Sequence, residues 1–330
     1  MKPDGSYGTL FGKRCLPGLR MCGMHEAGTV SRRTALLLMF LIPVLWSVAG
    51  IFTRQLSSIQ NVEIVFWRGL FVSLCILAYL LARKREGFFL SVLGLGRTGF
   101  ASGVLWAVIF TCFMLSLTLT TVANTLLVSS ITPFLTALFS WLFLGVRVSA
   151  RTWATIVFSF LGVAVIFFGS VGDARDGHTA GLLLALAVPF SYAVNYMIFS
   201  RSGKTVDLKP AIFLGGALSA MAMIPLAFPF EASVRDIGIL AFLGVFQLGI
   251  PCLLLVYVAR YLPPTEIAMI AMLEIVLGPL WVWIGVNETP APGTLIGGLM
   301  VLLCLLIHEV ISMLHFRKGN QASSIPRKEQ

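Results

Sequence analysis

The sequence predicts an all-α integral membrane protein of ten transmembrane helices, set out as two five-helix repeats of inverted topology. Three observations lead there. The 330 residues are 58% hydrophobic and 12% charged, whereas a soluble domain is about 25% charged; so few charges do not cover a globular surface. The apolar residues fall into ten blocks of about twenty, the length a helix needs to cross roughly 30 Å of hydrocarbon. The two halves of the chain also echo each other in order and spacing.

Residues 1–33 are Gly-rich and basic, without helical periodicity. Ser31-Arg32-Arg33 before an apolar run resembles a twin-arginine export signal, but no soluble mature region follows, so it reads as the basic flank of the first helix. The blocks lie at 34–53, 62–82, 99–119, 123–144 and 152–171, then at 180–200, 210–229, 237–258, 264–284 and 293–313. The expected organisation is therefore a tail over 1–33, repeats over 34–171 and 180–313, and a basic tail over 314–330.

Charge gives the orientation. With the N-terminus cytoplasmic, the inside segments hold twenty Lys and Arg and the outside links three, Arg54, Arg175 and Arg235. Cytoplasmic segments are the basic ones, so both termini are expected inside, in a bacterial plasma (inner) membrane. A missed helix would scramble this alternation. The net charge of +10 is thus an orientation signal. It forms no basic stripe interleaved with stacking aromatics, and no nucleic-acid partner is expected.

Shifting the first half by 142 residues lays Leu138 on Leu280, Trp141 on Trp283 and Thr152 on Thr294. Pro43-Val-Leu-Trp46-Ser47 likewise echoes Pro189-Phe190-Ser191-Tyr192. Five helices per repeat is an odd number, so the halves point oppositely across the bilayer. That architecture places a site near the midplane, exposed to each side in turn.

Leu45-Trp46-Ser47, Phe66-Trp67-Arg68-Gly69, the run from Pro133 to Leu144-Gly145, and Leu273-Glu274 through Asn287-Glu288 to Gly297-Gly298 together resemble the drug/metabolite transporter superfamily, specifically its EamA-type members with two tandem EamA repeats. The resemblance spans nearly all of the chain after residue 33. It departs at Gly145-Val146, where such proteins often carry Gly-Glu. It implies a secondary transporter, exporting or exchanging amino acids, other metabolites or drugs. The alternative is a non-transporting membrane scaffold or sensor, whose interior would be packed through. The chain has no ATP-binding motif, so transport would draw on a gradient.

Ionisable groups inside a bilayer are costly and need a partner or a function. Glu274 sits at the midpoint of its block and Arg68 about two turns inside its own. Glu274 reads as a proton or substrate carboxylate, and proton coupling is the expectation it carries. Arg68 reads as an anion contact or gate. Each can instead be structural, Glu274 capping broken backbone and Arg68 pairing with Glu63. Tyr192, Asn195, Tyr196 and Phe199 share one helical face by their spacing, suited either to an amphipathic solute or to helix packing with one buried amide. Trp46 and Gln247 are similar candidates. Pro43, Pro133, Pro189, Pro251 and Pro279 can break helices at a site.

Other motifs lack their context. Gly94-Leu-Gly96-Arg-Thr-Gly99 matches a dinucleotide fingerprint but has no preceding strand and no following acid at the required distance. His308-Glu309 with His315 lacks the i,i+4 spacing of a zinc helix. The six cysteines form no CxxC pair. The sequence suggests no enzyme, no metal site and no cofactor. The expected partners are lipid and a small-molecule solute. Gly99-xxx-Gly103 and Gly293-xxx-Gly297 allow close helix contact, within a monomer or across a homodimer.

Overall fold

In the computed structural model the chain is helical wherever it is regular among the described residues. It is described over residues 31–56, 59–83, 88–145, 178–202 and 206–287, with scattered helical residues within 153–165 and 292–307. The fifth and tenth blocks, at 152–171 and 293–313, lie largely outside the described residues. Among the described residues, eight helices are long and apolar enough to cross a membrane, from Arg32–Thr53 to Pro264–Val286.

The first span is interrupted. Helix α1 (Arg32–Ser47) holds Pro43, and a turn at Val48 separates it from α2 (Ala49–Thr53). The second span, α3 (Asn61–Arg83), runs unbroken, with Glu63 in its first turn and Arg83 in its last, the charge order that the helix dipole favours. A short helix α4 (Phe88–Leu93) leads through Gly96, at φ 58°, into α5 (Gly96–Leu119). Thr121 then caps the next helix, its hydroxyl oxygen accepting from the Asn124 amide at 3.1 Å.

The fourth span divides into α6 (Val122–Ser129) and α7 (Thr132–Leu144). Hydroxyls take the place of ladder bonds at this break. Ser129 donates to the Thr125 carbonyl at 2.9 Å and Thr132 to the Ser129 carbonyl at 2.6 Å. Pro133 sits in the first turn of α7, where its missing N–H costs nothing.

In the second half, α8 (His178–Ser202) and α9 (Lys209–Ala227) are followed by α10 (Val234–Phe242), a π-helical segment over Leu243–Gly249, and α11 (Ile250–Val258). Pro251 explains the π segment. It has no N–H to offer the Gln247 carbonyl, and the ladder widens just before it, where Ile250 donates to Val245 five residues back. The last fully described span divides at Met272 into α12 (Pro264–Ala271) and α13 (Leu273–Val286).

The shift of 142 residues seen in the sequence aligns these helix ends as well. Val122–Ser129 maps onto Pro264–Ala271, and the left-handed C-cap Gly145 (φ 67°) maps onto Asn287 (φ 54°).

Helix α9 lies between α3 and α5, and glycines make the approach close. A Cβ on Gly69 would stand 3.0 Å from the Gly216 carbonyl oxygen, and one on Gly216 would meet Val72 Cγ1 at 2.5 Å. Gly103, of the Gly99-xxx-Gly103 pair, faces Leu214 within the same chain.

Candidate functional site

The breaks and the π segment converge on one cavity of about 620 Å³, counting its open mouth. Trp46 of α1, Arg68 of α3, Tyr192 and Tyr196 of α8, Gln247 of the π segment and Glu274 of α13 all line it. Six of the seven residues singled out in the sequence as cavity candidates are therefore at its wall. Asn195 is not among the lining residues. It is fully buried, and its Oδ1 accepts from the Ser102 hydroxyl at 2.6 Å, so it ties α8 to α5.

Three of the residues form a polar chain. Arg68, 2% exposed, donates from Nη2 to Gln247 Oε1 at 2.6 Å, and Gln247 Nε2 donates to the Trp46 carbonyl at 3.0 Å. Arg68 Nη1 reaches Met114 Sδ at 3.4 Å, and its guanidinium carbon lies 6.0 Å from the Phe113 ring centre. The widened backbone that Pro251 imposes is the turn that carries Gln247.

Arg68 does not pair with Glu63. The Glu63 carboxylate instead accepts from the backbone amides of Glu231 and Ala232, both at 2.9 Å, and from Trp67 Nε1 at 3.0 Å. Two backbone amides in a turn offer a carboxylate better-aligned donors than a guanidinium five residues along its own helix, where i and i+5 do not share a face. Glu63 thus ties α3 to the α9–α10 link, beside Phe66 and Phe230, whose rings stack at 4.8 Å.

Glu274 has no hydrogen-bond or ion-pair partner among the described residues. It lies in the first turn of α13, two residues past the break at Met272. Shifted by 142 residues it falls on Thr132, which follows the break between α6 and α7 and also lines the cavity.

The walls are aromatic. Trp46 and Tyr192 approach to 5.8 Å between ring centres, Tyr192 and Tyr196 to 5.7 Å. Phe110 and Phe113 of α5 also line it; neither stood out in a chain with 25 phenylalanines. Ser129 and Thr132 are lining residues too, and the signal for them was readable as hydroxyls clustered before a proline in the middle of an apolar block. The prolines play unequal parts. Pro43, Pro189 and Pro279 lie inside helices, whereas Pro133 and Pro251 open α7 and α11.

Comparison with known proteins places this architecture. The family profile described as EamA-like transporter family matches residues 33–168 and again 179–308. The pseudopaline exporter CntI of Pseudomonas aeruginosa is 25% identical over 278 residues, covering 83% of this chain and 95% of that protein. Solute carrier family 35 member G1 of Homo sapiens is 26% identical over 219 residues, 62% of this chain and 60% of its own length. A crystal structure at 19% identity superposes with a TM-score of 0.64, covering 85% of this chain and 99% of that one, which speaks for the fold. With two profile matches that between them span most of its length, the chain belongs to the EamA-like transporter family and is a multi-pass membrane transporter.

Proposed function

We propose that this transporter is secondary, an exporter or exchanger of small organic solutes such as amino acids or drugs, working by alternating access at the central cavity. The observation that carries the reading is the lining itself. Charged, amide and aromatic groups from both halves, Trp46, Arg68, Tyr192, Gln247 and Glu274, face one cavity. A scaffold has no use for unpaired charge at that depth. The relative named as a pseudopaline exporter supports the outward direction.

Three further features belong to this reading. The chain forms ten helices in two inverted repeats. Both termini are cytoplasmic in a bacterial plasma membrane. Glu274 couples solute movement to protons.

Counterflow in reconstituted vesicles tests the central claim. Vesicles preloaded with each member of a broad panel of unlabelled amino acids and cationic drugs should take up the labelled form of at least one of them transiently. Uptake no faster than in protein-free vesicles across the whole panel would sink the reading and leave the scaffold or sensor alternative.

A further inference from the structure

We infer that the cavity selects a zwitterionic solute, holding its anionic group between Arg68 and Trp46 and its cationic group at Glu274. This rests on the transport reading of the same cavity and narrows its solute class.

The anionic end follows from unspent donors. A guanidinium has five N–H donors in a fork that fits a carboxylate. Arg68 uses two of its nitrogens, Nη2 on Gln247 and Nη1 on Met114 Sδ. Its Nε is buried and has no hydrogen-bond partner. Trp46 Nε1 is likewise buried and without a partner. Gln247 links the two residues, accepting from Arg68 and donating to the Trp46 carbonyl. A fixed positive charge and two donors without partners therefore belong to residues that line the cavity, each 97% or more buried. Buried donors without partners are uncommon in a folded protein, and a buried cation without an anion is more costly still. Both costs fall when an anionic group binds there.

The cationic end follows from Glu274. Its carboxylate lines the same cavity and has no partner among the described residues, so it can accept from an ammonium group. No ion pair within 4.0 Å joins it to Arg68. A solute with a single charge would satisfy one of the two groups and leave the other isolated. A solute with both charges satisfies both at once. The aromatic walls formed by Tyr192, Tyr196 and Phe110 suit an apolar body between the two poles. The polarity is also directional. The position equivalent to Glu274 in the first half is Thr132, a neutral residue, so the solute has one favoured orientation.

Binding to the purified full-length protein in detergent tests this without any need for flux. The probes are phenylalanine, leucine and methionine, each beside its decarboxylated amine and its deaminated acid. At least one zwitterion is expected to bind tenfold or more tightly than both of its analogues. Glu274→Gln should weaken that zwitterion by roughly thirtyfold or more while sparing its acid. Arg68→Gln should do the same while sparing its amine. Arg68→Lys, which keeps the charge but not the fork, should fall between. If Arg68→Gln does not fold, Arg68→Lys and Glu274→Gln carry the test.

A panel in which no zwitterion exceeds both analogues would overturn the inference, as would variants that weaken all three probes alike. A zwitterion preference without counterflow would instead remove the transport reading and leave the pocket assignment standing. Counterflow without the preference would do the reverse.

Discussion

Trp46 and Tyr192 meet across the cavity with ring centres 5.8 Å apart, and each stands three residues after a proline within its own helix, Pro43 and Pro189. The two positions correspond between the halves of the chain, so one aromatic wall is assembled from equivalent parts of both. Such a wall contributes to binding through face area and ring geometry more than through hydrogen bonds. Truncating either ring to Ala should raise the KM for a transported solute about 2- to 13-fold, the equivalent of an aromatic pair worth about 0.5–1.5 kcal/mol. Tyr192→Phe should stay close to the parent, whereas Trp46→Phe, which loses the indole N–H, should not. An unchanged KM in both alanine variants would remove these rings from the solute path.

The crossing of α3 and α9 yields a stability prediction. Because a Cβ on Gly216 would lie 2.5 Å from Val72 Cγ1 and 2.6 Å from Ser73 Oγ, Gly216→Val must push the helices apart. The expected cost is about 1–3 kcal/mol, as for overpacking in cores. Gly238 has open space around its Cβ position, so Gly238→Ala should be neutral or slightly stabilising. Thermal unfolding in detergent compares the two, and equal melting temperatures would contradict the close approach.

The spans themselves were legible because a bilayer imposes a length and a polarity that composition reveals. The block expected at 62–82 is found as Asn61–Arg83, and that at 264–284 as Pro264–Val286. Arg68, Glu274 and Trp46 were legible as site candidates because charge or indole in mid-block is conspicuous. The break at Ser130 was signalled by Pro133, but those at Val48 and Met272 were not, since hydropathy averages over them and no proline adjoins either. Asn195 looked like a cavity residue because periodicity tells which residues share a face, and not what that face meets. Its partner Ser102 is 93 positions away. The Glu63 contacts were hidden for the same reason, lying 168 and 169 positions along the chain.

Glu63 carries the third prediction. Its carboxylate is fully buried and serves three donors. Glu63→Ala leaves the Glu231 and Ala232 amides and the Trp67 indole without their acceptor. Each charged hydrogen bond of this kind is worth about 1.5–3 kcal/mol. The α9–α10 link should therefore loosen and become a site of protease cleavage near Glu231, while Glu63→Gln, retaining one acceptor, should be cut more slowly. Identical cleavage of all three proteins would show that Glu63 does not anchor the link.

Orientation is tested by labelling. Cysteines introduced beside Arg175 and Glu288, which lie outside the described residues, should react with an impermeant reagent applied to intact cells. Cysteines beside Lys84 and Lys204, also outside the described residues, should react only after permeabilisation. Labelling at Lys204 from outside would overturn either the helix count or the placement of both termini in the cytoplasm.

The last prediction concerns coupling at Glu274. Its carboxyl lines the cavity and has no bonded partner among the described residues. Protonation and the binding of an ammonium group exclude each other at one carboxylate, so proton entry and solute entry can alternate there. Arg68 contacts Gln247 and Met114 rather than Glu274, which leaves the carboxyl able to change state. Glu274→Gln keeps the size and one acceptor while removing titration. In vesicles with an imposed pH gradient, the variant should lose solute accumulation entirely, yet retain a measurable part of solute-for-solute exchange at saturating concentration. Accumulation equal to the parent would eliminate the coupling role. Loss of both activities, together with a melting temperature well below the parent, would mark Glu274 as a residue that holds the broken span in place.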